Sequence, residues 1–241
     1  MNAITTAINQ ATPTVPAGDV ELIDLAGIKP EPIRWIWPGW LARGKVHIIA
    51  GAPSTGKTTI ALNWGAHVSA GTAFPDGRKP TPGRVLIWSG EDGVKDTLVP
   101  RLIAARADMR MIQAIGEVTE SGQRFPFDPA ADVPKLGAAL AGVDKIAMIV
   151  IDPLVSAVSG DSHKNAEVRR SLQPLVELAQ RMDAALIGIT HYSKGTQGCE
   201  PLERVTGSLA FGALARLVFG TVRQKSDDEA APSKYLLARV K

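Results

Sequence analysis

The stretch Gly51-Ala52-Pro53-Ser54-Thr55-Gly56-Lys57-Thr58 constrains this chain more than any other. It fits G-x-x-x-x-G-K-[ST], a loop that serves its purpose directly after a buried strand and at the opening of a helix. The flanks supply that setting. Residues 46–50 (VHIIA) form an apolar run bounded by Gly44 and Gly51, which predicts a buried strand, and residues 58–70 predict the helix. Glycines let such a backbone curl around phosphate oxygens. The curled N–H groups and the helix N-terminus then offer them partial positive charge. In this reading Gly51, Ala52, Pro53, Ser54, Thr55, Gly56, Lys57, Thr58 and the following Thr59 hold a nucleoside triphosphate. Lys57 reaches the β- and γ-phosphates, and Thr58 offers its hydroxyl to Mg²⁺.

The rest of the chain alternates in the same way. Residues 84–89 (RVLIWS), 111–115, 146–151 (IAMIVI), 185–190 (ALIGIT), 214–222 and 235–240 predict strands. Residues 95–107, 131–141 and 165–182 predict helices, the first with Leu98, Leu102 and Ile103 on one face and the last kinked at Pro174. Strands separated by helices give an α/β fold whose mainly parallel central sheet is flanked by helices. The last two strands have no helix between them, which predicts antiparallel edge strands near the C-terminus. With 241 residues, 45% hydrophobic and 21% charged, the chain can bury one core and is not disordered throughout. Residues 1–32 read as a flexible N-terminal segment and 33–241 as the folded domain. Trp35, Trp37 and Trp40, among Pro38 and Gly39, are expected to pack a loose lead-in onto it. The strand-like run ending at Lys241 carries the expectation that a further piece of a longer protein follows.

Magnesium on a triphosphate calls for a carboxylate near the loop, and Asp152, closing IAMIVI, is the candidate metal residue with Thr58. Pro153 follows it, so the group that orients or deprotonates the attacking water comes from elsewhere. Glu91, in Ser89-Gly90-Glu91-Asp92 just past a strand, stands at the sheet edge where ligands of open α/β folds bind. Asp92 reads as a helix cap. His191, at the end of ALIGIT on the same edge, is a candidate sensor of the γ-phosphate.

Taken together, GAPSTGKT, WSGED, MIVIDP, THYSK and GTAFPDG (71–77) resemble the RecA-like P-loop ATPases over residues 33–241. Within them the likeness is to the RepA-type plasmid replicative helicases and the related AAA-family ATPases of mobile elements. The resemblance implies ATP and Mg²⁺ at Lys57, Thr58 and Asp152, Glu91 as base and His191 as sensor. It also implies a homo-oligomer, a hexameric ring, in which a neighbour donates a cation to the transferring phosphoryl group. Arg216, on the later strand, ranks first for that role, then Arg204, with Lys241 a further candidate. Single-stranded DNA is the implied partner. Residues 156–165, with Lys164, and residues 193–206, with Lys194 and Arg204, are the loops to touch its phosphates. Arg169 and Arg170 read as a solvated helix face. The chain shows no primase or zinc-binding segment and no helical domain like that preceding the DnaB-type helicases.

The net charge of +3 is compatible with a polyanionic partner without demanding one. A recombination or repair ATPase that does not unwind, and a regulatory ATP switch without nucleic acid, remain alternatives. A kinase is disfavoured because no Arg-rich lid is present. A single cysteine, Cys199, makes no internal disulfide and reads as incidental. No run reaches the roughly 18 apolar residues of a membrane span, and residues 1–14 lack the pattern of a signal peptide. The expected compartment is the cytoplasm.

Overall fold

The structure is a computed structural model, and it describes residues 24–193, 195–196, 198–200, 202–205, 209–224 and 233–241. The chain divides into two units, Met1–Pro32 and Ile33–Lys241. In the first, the described residues 24–32 hold one 3-10 turn, Leu25–Gly27, whose Ala26 N–H donates to Asp24 Oδ1 at 3.0 Å. The flexibility expected of residues 1–23 lies outside the described residues.

The second unit is built on a seven-stranded sheet. In chain order its elements begin with a short antiparallel pair, β1 (Trp35–Trp37) and β2 (Leu41–Ala42), followed by β3 (Val46–Gly51) and α1 (Lys57–Ala70). Next come β4 (Arg84–Ser89), α2 (Val99–Ala104), β5 (Ile112–Ala114), and a hairpin of β6 (Glu117–Glu120) and β7 (Gln123–Pro126). Then follow α3 (Val133–Ala139), β8 (Ile146–Asp152), α4 (Asn165–Met182), β9 (Ala185–His191), α5 (Leu209–Leu214), β10 (Leu217–Gln224) and β11 (Lys234–Arg239).

The sheet order is β11-β10-β3-β9-β8-β4-β5. Every neighbouring pair is parallel except β10 with β11, which gives the antiparallel C-terminal edge. Alternation along the strands sends side chains to opposite faces. Ile48, Ile149 and Ile151 pack under α3, α4 and α5, whereas Ile49, Met148 and Val150 pack under α1 and α2. Burial on both faces explains why these strands are continuous apolar runs.

The lead-in joins the α1 side. Trp37 stacks between Phe74 and Trp40 at ring-centroid distances of 4.2 and 4.8 Å, and Trp40 stacks in turn on Phe219 at 5.3 Å. Trp64 of α1 meets Trp37, Trp40 and Phe219 edge-on. Trp37 also donates its indole N–H to Asp76 Oδ2 at 2.8 Å.

Two expectations are corrected, and one element was not expected. The helix read over 95–107 opens as a π turn, Val94–Leu98, before α2. Pro100 has no N–H to donate one turn back, and the Val99 N–H closes the wider ring onto Val94. The strand read over 214–222 begins only at Leu217, because Leu209–Leu214 coils into α5. The run LAFGALARLVFG is apolar almost throughout, so its periodicity could not separate helix from strand. Finally, the hairpin β6–β7, with largely exposed residues, carried no alternation signal.

Candidate functional site

The parallel register brings four strand ends to one rim. Gly51 of β3 pairs with His191 of β9, and Asp152 of β8 pairs with Ser89 of β4. The phosphate loop leaves this rim at Gly51. Its bend uses left-handed backbone at Ser54 (φ 59°) and at Gly56 (φ 84°), which immediately precedes α1. Gly51 is required by proximity, since a Cβ there would collide with the Thr221 hydroxyl of β10. That hydroxyl lies 2.6 Å from Thr55 Oγ1 and 3.2 Å from the Ala50 carbonyl, while Thr55 Oγ1 lies 2.8 Å from the Ala52 carbonyl. Two hydroxyl protons thus serve three close contacts under the loop and hold its curl from within.

Lys57, at the start of α1, is buried. Its ammonium donates to the Ala52 carbonyl at 2.9 Å and lies 3.4 Å from His191 Nδ1. Burial pushes the Lys57 pKa below the ordinary lysine value, and the charges of Asp152 and Glu91 pull it back up. The Thr58 hydroxyl donates to Asp152 Oδ2 at 2.7 Å. Asp152 is 3% exposed, and its burial raises its pKa above the usual carboxylate range. The Thr58 hydrogen bond opposes that rise, Glu91 and Asp92 add to it, and Lys57 opposes it.

Across from this pair lie Glu91 and His191, with Glu91 Oε1 3.7 Å from His191 Nε2. Ser89 shapes the approach: its hydroxyl accepts the N–H of Asp92 at 2.9 Å and that of Glu91 at 3.4 Å. Asp92 does not cap a helix as expected. Gly93 precedes the π turn with no side-chain cap, and the Asp92 carboxylate accepts from Arg101 Nη1 at 3.0 Å instead. A charge-assisted bond to a guanidinium outweighs one to a neutral N–H.

The cavity these walls enclose measures about 450 Å³, within the usual size of small-ligand sites. It is lined by residues 53–59 and by Glu91, Asp92, Arg101, Asp152, Ile189 and His191. The fit to a nucleotide is chemical as well as spatial. The glycine cradle and Lys57 suit phosphate oxygens, and a hydroxyl beside a carboxylate suits a hard cation. Among the described residues no group of three or more His, Cys, Asp or Glu side chains could hold a metal alone. An ion at Thr58 and Asp152 would therefore arrive shared with substrate phosphates, as Mg²⁺ commonly does.

The other sequence candidates stand elsewhere. Arg216 precedes β10 rather than lying on it. Because Leu217 pairs with His47, Arg216 is exposed at the amino rim of the sheet, opposite the cavity. Arg204 lays its guanidinium over the Tyr192 ring at 4.3 Å. Lys241 donates its ammonium to the carbonyls of Gly212, Ala213 and Ala215, capping the end of α5. None of the three lines the cavity, whereas Arg101, which the sequence reading missed, does.

Of the two loops assigned to DNA, the first holds a 3-10 turn, Leu154–Ala157, and its Lys164 ion pair with Glu167 spans 3.2 Å. In the second, Lys194 and Thr206 lie outside the described residues, and Tyr192 bridges to Val205. Arg169 and Arg170 are exposed on α4, and Cys199 is exposed and free. Among the described residues no helix is long and apolar enough to cross a membrane.

Comparison with known proteins identifies the family and the fold. The sequence profile of an AAA domain family matches residues 11–197. Among solved structures, a KaiC-like protein from the hyperthermophilic archaeon Pyrococcus horikoshii OT3 is similar with a TM-score of 0.57. That match covers 86% of this chain and 88% of the archaeal one at 16% identity, a likeness of fold alone. No curated protein matches the sequence.

Proposed function

This chain belongs to the AAA domain family and has the RecA-like P-loop ATPase fold, and from that premise we propose that it hydrolyses ATP with Mg²⁺ and couples turnover to movement on single-stranded DNA as a ring-forming, RepA-type replicative helicase. The observation that carries the hydrolytic part is the single rim on which the Thr58–Asp152 hydrogen bond faces Glu91 and His191 across one cavity.

In this reading the loop N–H groups and Lys57 grip the β- and γ-phosphates. Lys57 exchanges its bond to the Ala52 carbonyl for phosphate oxygens. Thr58 and Asp152 would hold the metal, which when bound would neutralise phosphate charge. Glu91, half exposed at the cavity mouth, orients a water and accepts its proton. His191 stands between Lys57 and Glu91, touching the phosphate grip on one ring nitrogen and the base on the other. That position suits a sensor whose state passes along the backbone into residues 193–206.

The motor part rests on the resemblance to RepA-type helicases. Arg216 is exposed and far from its own cavity, as a residue donated to a neighbour's site must be. Arg204 and the loops 156–165 and 193–206 complete the proposed trans and DNA contacts. The test is ATP hydrolysis with and without single-stranded DNA, together with particle mass. A hexameric mass with several-fold stimulation supports the motor. Stimulation by filaments without unwinding favours a recombination ATPase, and a monomer without stimulation favours a regulatory switch.

A further inference from the structure

Among the described residues, the cavity is lined by one arginine. Arg101 sits on α2 and reaches the mouth of the phosphate site, lining the same 450 Å³ as Lys57, Thr58 and Glu91. Its guanidinium is held through one nitrogen, Nη1, by Asp92 at 3.0 Å. The two side chains are 43% and 25% exposed. A pair so open to solvent contributes little to folding, so breaking it costs little.

The surroundings make this arginine a poor structural strut and a good phosphate ligand. Its carboxylate partner is adjacent in sequence to Glu91 and hangs from the same Ser89-anchored turn. Glu91, Asp92 and Asp152 line one cavity and crowd its rim with carboxylates. A triphosphate entering that rim adds more negative charge. Lys57 answers for one part of it from the α1 side; the remaining cation lining the cavity with a permanent charge is Arg101, on the opposite wall. A guanidinium also presents a planar fork that matches two phosphate oxygens, which an ammonium cannot do.

We propose that Arg101 is a phosphate-contacting residue of this chain's own site. On entry of a nucleoside triphosphate its guanidinium leaves the Asp92 carboxylate for oxygens of the terminal phosphate. Asp92 is then a placeholder that keeps the fork at the cavity mouth while the site is empty, and the exchange adds a cis cation beside whatever cation a neighbour supplies. The π turn Val94–Leu98 has a part in this geometry. It adds a residue to the turn between Gly93 and α2, which rotates α2 by roughly a quarter turn relative to a regular helix of the same length. The rotation sets the face on which Arg101 emerges.

The inference rests on the nucleotide-binding reading above, so its test separates the two. The full chain is titrated calorimetrically with Mg²⁺·ATPγS and with Mg²⁺·ADP, as wild type, Arg101→Ala, Arg101→Lys and Asp92→Asn. The proposal predicts that Arg101→Ala weakens ATPγS by about tenfold or more while ADP stays within about twofold, the difference a charged hydrogen bond to the terminal phosphate makes. Arg101→Lys, which keeps the charge without the fork, should fall between, and it carries the test should the alanine variant fail to melt as a folded protein. Asp92→Asn frees the guanidinium and should raise the preference for ATPγS over ADP. Equal losses of both ligands in Arg101→Ala, or no loss of either, would overturn the assignment while leaving the nucleotide site standing. An unaltered preference in Asp92→Asn would overturn the exchange. A wild type that bound neither ligand would sink the nucleotide reading itself, and this inference with it.

Discussion

The two walls of the cavity differ in how much of their geometry is built into the fold. On one wall Lys57 and Asp152 are 6% and 3% exposed, and bonds of 2.9 and 2.7 Å fix Lys57 on Ala52 and Thr58 on Asp152. On the other, Glu91 and His191 are about half exposed and 3.7 Å apart, and Arg101 is held by one nitrogen. The cause lies in the elements behind them. β3 and β8 are buried along their whole length, whereas Glu91, Asp92 and Arg101 come from a turn and a short helix at the sheet's flank. The first wall is therefore preorganised for binding, and the second is left for ligand or neighbour to order. Preorganised groups hold the nucleotide, and groups ordered late respond to the terminal phosphate and to turnover.

The sharpest way to break this division is Glu91→Gln. The change should lower turnover by about 10²–10⁴-fold, as for loss of a general base, with Mg²⁺·ATPγS affinity held within about twofold. Single-turnover hydrolysis beside calorimetry reads both. Normal turnover in this variant would remove Glu91 from the role and leave the two walls without their distinction.

A smaller effect tests the buried wall. Burial holds the Asp152 pKa above its ordinary range, so in the ligand-free protein its contribution to stability is present at low pH and lost as pH rises through the raised value. At neutral pH the ionised carboxylate is a cost, which Asn removes while still accepting the Thr58 hydrogen bond. Asp152→Asn should therefore raise the melting temperature of the free protein. It should also weaken Mg²⁺·ATPγS by about ten- to a hundredfold. Acidification of the wild type through the Asp152 pKa should weaken the same ligand in the same way. A variant that lost stability and kept affinity would mean that Asp152 serves the fold rather than the metal.

How far the sequence could be read follows the same line. The buried wall was legible because its residues sit at the ends of long apolar runs. Once 46–50 and 146–151 are strands, Lys57, Thr58 and Asp152 are placed by chain connectivity. Glu91 and His191 were legible for the same reason, as they stand at or just past the ends of β4 and β9. Arg101 was not, because its position depends on a π turn that no residue pattern announces, and Asp92 was misassigned with it. The Thr55–Thr221 contact escaped because it joins residues 166 apart, and nothing in β10 marks one threonine as the one beneath the loop. Arg216 was read onto the strand because the apolar run 209–219 hides a helix-to-strand change; it stands just before β10, at the same amino rim.

The central claim is that the loop around Lys57 wraps a triphosphate whose magnesium faces Asp152. The most direct measurement is calorimetric titration of ATPγS into wild type and Lys57→Ala, each with Mg²⁺ and with chelator. The account predicts saturable binding in the wild type that weakens markedly without Mg²⁺, and a further loss of about a hundredfold in Lys57→Ala, as expected when a buried ammonium paired with phosphate is removed. Binding indifferent to Mg²⁺ and to Lys57, or no binding by the wild type at all, would contradict it.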